Sequence, residues 1–195
     1  MPTPKIEGSV RERLLAAANA LFYEEGVHTV GIDRVIERAG VAKASLYSTF
    51  GSKEELVRAY LTERHELRKR RLLEGIAKHH TPRDRILAIF DLLGESVSAP
   101  YFRGCAFINA SAEGPRTGKA RTVCDQSRAW MKNLFKDLAR DAGTADPDQL
   151  SDQLMLLYDG ATITASMDSD PSGAAKARGM AAGLLDAQSK RPQES

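Results

Sequence analysis

Residues 43–50, KASLYSTF, combine a leading lysine with small side chains and hydroxyl groups at helical spacing. A helix buried in a core would carry more apolar surface than this stretch does. A helix that enters the major groove of DNA needs short side chains for close approach, and hydroxyl and amino groups for base edges and phosphates. We therefore expect groove contacts from Lys43, Ala44, Ser45, Ser48 and Thr49. The alternative is an exposed turn of an ordinary helical bundle, because helix-turn-helix geometry also occurs in proteins that bind no DNA.

Three neighbouring residues have side chains suited to phosphate. Lys53 is near the start of the following predicted helix, where its ammonium group and the backbone N–H groups can face the same anion. Tyr47 has a ring that can pack and a hydroxyl that can reach a phosphate. Thr29 precedes the helix before the polar stretch, and its hydroxyl can do likewise.

The elements that must position these residues are helices, because apolar residues recur at spacings of three and four along most of the chain. Ser9 and Glu12 have the spacing of a capping box, Gly26 suits a C-cap, and Gly40 permits a tight turn. The predicted helices cover 10–25, 32–39, 43–47 or beyond, 53–77, 82–97, 103–113, 119–142, 147–167 and 172–188. No strand pattern is found, so we expect an all-α fold of nine or so helices and a frayed tail at 190–195.

The composition fits a soluble globular protein, since 42% of the 195 residues are hydrophobic and 28% are charged. No apolar run approaches the ~18 residues that span a bilayer, and the N-terminus has no apolar leader. We therefore expect a cytoplasmic protein without a membrane partner. The net charge is +2, and residues 1–58 contain eight positive and eight negative side chains. Bulk charge therefore gives no argument for DNA binding, which must rest on where the charges lie.

The histidines and the two cysteines, Cys105 and Cys124, do not have the spacing of a metal site. The nucleophile, phosphate-loop and metalloprotease motifs that carry enzyme chemistry are also absent from the sequence. We therefore expect no enzymatic activity, no metal and no cofactor.

Residues 14–61 resemble the N-terminal domain of TetR/AcrR family transcriptional regulators. The family pattern A-G-V-S-x-G-x-L-Y-x-x-F-x-x-K-x-x-L is matched by Ala39, Gly40, Val41, Leu46, Tyr47, Phe50, Lys53 and Leu56. Ala42 and Ala44 depart from it, where Ser and Gly are common, so one phosphate-contacting hydroxyl is missing. The resemblance implies that residues 43–49 lie at the groove, and that Leu46 and Phe50 pack a small core. It also implies a DNA-binding domain at 1–55 and a ligand-binding and dimerisation domain at 56–195.

In the proteins that the chain resembles, C-terminal helices enclose a small-molecule effector, and the last two helices pair with those of a second copy. The resemblance thus implies a homodimeric repressor on a palindromic operator, released by a hydrophobic or amphipathic effector. Small residues in the last two helices suit close pairing, although internal core packing is the alternative. The residues considered for the effector site are Phe90, Phe102, Cys105, Phe107, Asn109, Trp130, Tyr158 and Met167. Aromatic residues at helical spacing also fit an ordinary core.

Residues 103–113, RGCAFINASAE, resemble a subset of the family with the pattern GC-x-x-x-N at this place. Some members of that group sense reactive electrophiles through a cysteine. If Arg103 and a helix N-terminus lowered the pKa of the Cys105 thiol, this residue would react in the same way. The alternative, which we favour, is a buried inert cysteine.

Overall fold

The computed structural model describes residues 8–189, and over that range it is all-helical, as predicted. The described helices are α1 (Val10–Glu25), α2 (Ile32–Ala39), α3 (Lys43–Phe50), α4 (Lys53–Ile76), α5 (Pro82–Val97), α6 (Ala106–Glu113), α7 (Lys119–Asp141), α8 (Pro147–Met167) and α9 (Ser172–Ser189). The predicted tail at 190–195 lies outside the described residues.

The helix boundaries follow from local capping chemistry. Ser9 and Glu12 form the predicted capping box, in which each side chain satisfies a backbone N–H of the other residue. Thr81 accepts the backbone N–H of Asp84 at 3.0 Å and starts α5, with Pro82 in the first turn. Asp146 caps α8 in the same way. Most boundaries were therefore predictable from residue type and spacing.

One predicted boundary is wrong. The helix expected to begin at Arg103 begins at Ala106 instead. Gly104 has φ +86°, a backbone conformation that a right-handed helix cannot contain. The chain therefore turns at Gly104, and Cys105 precedes α6 rather than lying in its first turn.

Packing divides the chain into two compact units, of which the first contains the described residues of 1–66 together with 106–127. Its core is formed by α1 to α3, the first part of α4, α6 and the start of α7. Leu14, Val35 and Leu46 are fully buried in it. Phe22 and Tyr60 meet edge to face, with ring centroids 5.6 Å apart. The three short N-terminal helices are therefore fixed by a shared apolar core rather than by their own length.

The second unit contains 67–105 and the described residues from 128 onward. Its core includes Phe90, Phe135 and Leu154, all at most 1% exposed. Two buried hydroxyls on α8 are satisfied within the helix, since Ser151 donates to the Asp148 carbonyl and Thr162 to the Tyr158 carbonyl. The two units are groups of residues that pack together. The boundary expected after residue 55 instead separates the segment predicted to bind DNA from the rest of the chain. That boundary stays a prediction.

Candidate functional site

Helix α3 is attached by one buried residue and exposes most of its others. Leu46 is fully buried, while Lys43, Ala44 and Ser48 are exposed and Tyr47 is 46% exposed. Ser45, Thr49 and Phe50 are half-buried. The residues predicted at the groove are thus gathered on one short helix that has a single fully buried anchor.

The hydroxyl groups of α3 lie close against the helix backbone. Ser48 donates to the Ser45 carbonyl at 3.1 Å, and Thr49 donates to the same carbonyl at 2.6 Å. Each hydroxyl oxygen keeps acceptor capacity after it has donated its hydrogen. Adenine and cytosine present amino donors in the major groove, so these oxygens have the chemistry to accept from base edges.

Lys43 is held by an exposed ion pair at the start of α3. Its Nζ lies 2.9 Å from a carboxylate oxygen of Asp33, and both side chains are mostly exposed. The hydrogen bond that Lys43 donates to Asp33 raises the pKa of Lys43. Water screens both charges of an ion pair this exposed, so a phosphate can compete with Asp33 for this lysine.

The structure brings Lys53 to the turn that contains Thr29. Lys53 is the first residue of α4, and its Nζ lies 3.5 Å from the carbonyl oxygen of His28, the residue before Thr29. Partial burial lowers the pKa of Lys53. Ser52 caps the helix, because its hydroxyl accepts the N–H of Glu55 at 3.2 Å. The two residues predicted to bind phosphate, Thr29 and Lys53, therefore lie in one region of the surface.

Sequence reasoning missed Arg13, which holds the turn between α2 and α3. Its guanidinium group donates to the Ala39 carbonyl from Nε at 2.9 Å and from Nη2 at 2.6 Å, and also donates to the Gly40 carbonyl. Gly40 has φ +61°, and a Cβ there would lie 2.9 Å from Nη2. The spacing of apolar residues in α1 places Arg13 beside the buried Leu14, but it gives no sign of this partner.

Two carboxylates join α6 and α7 to the N-terminal helices within the first unit. Glu113, the last residue of α6, accepts the backbone N–H of His28 at 2.9 Å. Glu54 accepts the backbone N–H of Lys119, the first residue of α7, at 3.0 Å. The Lys119 ammonium group also pairs with Glu55. The turn between α6 and α7 is thereby tied to both ends of the segment that carries α3.

Four of the residues considered for an effector site lie together in the second unit. The rings of Phe90 and Tyr158 are 6.3 Å apart, and Phe102 and Trp130 pack against the same core. Burial raises the pKa of the Tyr158 phenol. Sequence reasoning missed Phe135, whose ring lies within 5.9 Å of Phe90 and 6.3 Å of Tyr158. Its spacing of four from the buried Met131 and Ala139 is the signal that could have identified it.

The other residues considered for the effector site are dispersed. Phe107 and Asn109 belong to the first unit, where the Phe107 ring meets that of His65. Met167 is 78% exposed at the end of α8. Neither cysteine forms a disulfide; Cys105 is half-buried and Cys124 is buried. The effector site and the reactive cysteine both stay predictions.

The described residues hold neither a clustered set of metal ligands nor a membrane-spanning helix. Residues 8–189 contain no group of three or more His, Cys, Asp or Glu side chains placed to hold a metal ion. Within the same range, every helix is too short or too polar to cross a membrane.

A short, exposed, polar helix that follows a tight turn from a supporting helix defines a helix-turn-helix protein. A family model described as "Bacterial regulatory proteins, tetR family" matches residues 14–60. A TetR transcriptional regulator from Streptomyces avermitilis superposes with a TM-score of 0.85 at 35% identity, over 94% of this chain and 100% of that one. The regulator LmrA of Bacillus subtilis is 32% identical over 71% of this chain and 76% of its own length.

The chain belongs to the TetR family and is a DNA-binding transcriptional regulator of the helix-turn-helix type. The family consists of regulators rather than enzymes. The activator FasR of Mycolicibacterium smegmatis is 47% identical over 55 residues, which are 28% of this chain and 25% of FasR. Proteins similar to this chain therefore include an activator.

Proposed function

We propose that the chain is a homodimeric repressor that binds a palindromic operator through α3 and is released by a small hydrophobic or amphipathic effector. The observation that most directly supports this proposal is the exposed polar face of α3, which the buried Leu46 anchors. Lys43, Ala44, Ser45, Ser48 and Thr49 contact bases or the groove, while Tyr47, Lys53 and Thr29 hold phosphates. We also infer a cytoplasmic protein, because the family is one of bacterial regulators and bacterial DNA lies in the cytoplasm.

An apolar stripe on α8 supports dimerisation. Leu156, Ile163 and Met167 are exposed at spacings of seven and four residues, and Gly160 between them has nothing within 4 Å of an added Cβ. Met180 on α9 is 62% exposed. The stripe and its glycine allow close approach of another helix, and exposed apolar patches of this kind mark interaction sites.

The flanks of α8 are already occupied by its own chain. Lys132 and Lys136 of α7 pair with Asp152 and Asp148 on one side, and α9 packs along another, where Gly173 approaches Thr164. On α8 the exposed stripe therefore lies between the positions that contact α7 and those that contact α9. We assign it to a second copy of the chain, because two-fold symmetry would place two α3 helices on the two halves of a palindrome.

Dimerisation is tested by Leu156→Asp combined with Met180→Asp. A charged side chain at the centre of an apolar interface should produce monomers in analytical ultracentrifugation, and operator affinity should fall with them. Leu67→Asp, on an exposed leucine of α4, is the matched control. A double variant that stays dimeric would contradict the assignment of this surface.

The effector region proposed is the aromatic cluster of Phe90, Phe135 and Tyr158 in the second unit. Its rings supply apolar contact area, and the Tyr158 hydroxyl supplies a polar group that can orient a ligand. Arg68 and Cys105 lie near enough to influence the Tyr158 phenol electrostatically. An apolar ligand with one polar or anionic group fits this chemistry.

The effector would act on α3 through the ties between α6, α7 and the N-terminal helices. Glu113 and Glu54 make the two backbone contacts involved. By linkage, effector and operator must weaken each other's binding by the same factor. Glu113→Ala, which removes the acceptor of the His28 N–H, should reduce that factor, with the exposed Glu74→Ala as control, when operator affinity is measured with and without effector.

The primary experiment is the selection of random duplex DNA on the purified protein at a stated salt concentration. We expect a palindrome to be enriched, and its affinity to fall steeply as salt rises, because phosphate contacts release counterions. A folded dimer that enriches no sequence would contradict the proposal. The enriched duplex then serves in a screen for amphipathic compounds that release the protein from DNA. In that screen Tyr158→Phe tests the proposed cluster, and Tyr101→Phe, at an exposed tyrosine, is its control.

The cysteine-based alternative is tested with the same duplex. If electrophiles release the DNA and Cys105→Ser abolishes that response, the protein is a thiol sensor. If Cys105→Ser responds as the wild type does, Cys105 has no sensing role.

A further inference from the structure

Arg13 of α1 reaches the turn between α2 and α3 from outside the helix-turn-helix motif. Three hydrogen bonds run from its guanidinium group to the carbonyls of Ala39 and Gly40, two residues that follow it by 26 and 27 positions. The planar fork of arginine suits two acceptors held side by side, and its positive charge is favourable at the C-terminus of a helix.

The carbonyls of Ala39 and Gly40 differ from those that accept the backbone hydrogen bonds of Gly40 and Val41 within the turn. Gly40 donates to the Glu37 carbonyl at 3.0 Å, and Val41 donates to the Ile36 carbonyl at 3.1 Å. These bonds close the end of α2, as the left-handed glycine cap of a helix normally does. The carbonyls of Ala39 and Gly40 point onward into the turn, where Arg13 supplies their donors.

Helix α3 has little else to fix its direction. Ala42 occupies the N-cap and makes no side-chain cap, and α2 also begins without one, at Gly31. Each helix has eight residues, which is too short for a helix to be stable alone. The buried Leu46 anchors the middle of α3, and the Arg13 fork fixes the turn that leads into it.

We propose that Arg13 is a positioning residue for sequence recognition: it sets the direction of α3 without touching DNA. This inference rests on the proposed reading of bases by α3. Base hydrogen bonds require donor–acceptor distances of about 2.7–3.2 Å, whereas flexible lysines can follow a phosphate when α3 tilts. Loss of the fork should therefore lower discrimination between sequences more than it lowers general DNA affinity.

The experiment compares Arg13→Gln and Arg13→Lys with the wild type on the enriched duplex and on a scrambled duplex. We expect Arg13→Gln to lower the ratio of specific to non-specific affinity by about 10–100-fold, as if one base contact were lost. Arg13→Lys, whose single ammonium group cannot form the fork, should give an intermediate ratio. The dependence of log affinity on log salt should keep its slope, because no phosphate contact is removed.

Arg64→Gln is the matched control. Arg64 forms a similar fork, donating to Asn19 Oδ1 at 3.0 and 2.9 Å and stacking over the Tyr23 ring, but it joins α4 to α1 away from the turn. This variant should lower the melting temperature and keep the wild-type specificity ratio. If both variants lower the ratio equally, general destabilisation explains the effect and the inference is wrong.

Two other results would also overturn the inference. One is an unchanged ratio in folded Arg13→Gln or, if that variant does not fold, in Arg13→Lys. The other is a salt slope reduced by about one, which would identify Arg13 as a phosphate contact. A wild-type protein that distinguishes no duplex would contradict the proposed function itself, and this inference with it.

Discussion

Helix α3 and the aromatic cluster of the second unit use their side chains in opposite ways. On α3 only Leu46 is fully buried, and the predicted groove residues are exposed or half-buried. In the cluster, Phe90 and Phe135 are at most 1% exposed, and the Tyr158 ring lies 6.3 Å from each of them. A DNA-reading surface therefore differs visibly from a core, whereas an effector site and a core are built from the same residue types.

This difference explains why the sequence alone indicated a role for α3 but did not locate an effector site. A helix of small and polar residues departs from the pattern of a core helix, so its sequence alone suggests an exposed role. Aromatic residues at helical spacing fit a packed interior equally well. Met167 illustrates the problem, because it was considered for the effector site and lies on the exposed stripe of α8.

The largest expected effect comes from cavities made in both regions. Leu46→Ala and Leu154→Ala each remove a fully buried leucine and should lower the free energy of unfolding by about 2–5 kcal/mol. Only Leu46→Ala should also remove operator binding, since α3 has no other fully buried anchor. Urea denaturation combined with operator titration at fixed salt measures both. Equal losses of operator affinity in the two variants would remove the contrast between the regions.

A charge on the outer face of α3 should affect DNA without affecting stability. Ser48→Glu places a carboxylate on an exposed position next to phosphates and should weaken operator binding by about 100-fold or more. The unfolding midpoint should stay close to wild type, because surface substitutions usually change stability by less than about 0.5 kcal/mol. Gln126→Glu, at an exposed position of α7, is the control. Wild-type affinity in Ser48→Glu would exclude this face from the DNA interface.

Lys53→Gln should weaken binding to all duplexes to a similar extent. Removal of one phosphate contact should reduce the slope of log affinity against log salt by about one and leave sequence preference unchanged. The measurement is a salt titration on the enriched and scrambled duplexes. A selective loss on the enriched duplex would instead make Lys53 a base contact.

The smallest expected effect concerns Tyr158 in alkaline solution. Burial raises its pKa above the ordinary 10.0, so the unfolded state loses this proton at a lower pH than the folded state does. Its contribution to stability is full below pH 10 and is lost as the pH rises above that value. Tyr158→Phe should flatten the decline of stability above pH 10, as measured by denaturation at a series of pH values. The exposed Tyr101→Phe should decline as the wild type does.

Much of the fold could be predicted because the helix boundaries depend on capping residues only a few positions apart. Ser9 with Glu12, Pro82 and Pro147 mark helix starts, and Gly26 and Gly40 mark helix ends. The start of α6 could not be predicted, since the sequence does not state which glycine will take a positive φ, as Gly104 does. The groove residues were recognisable as a set, although their contacts with DNA stay predictions.

The sequence by itself determined the helical fold, the polar character of α3 and the family pattern from Ala39 to Leu56. These properties depend on residue type and short-range spacing, which are local. Only the tertiary structure decided that Arg13 holds the turn before α3, that Glu113 reaches His28, and that Phe135 packs against both Phe90 and Tyr158. Such contacts join residues far apart in the chain, and periodicity within one helix does not encode the partner that its side chains meet.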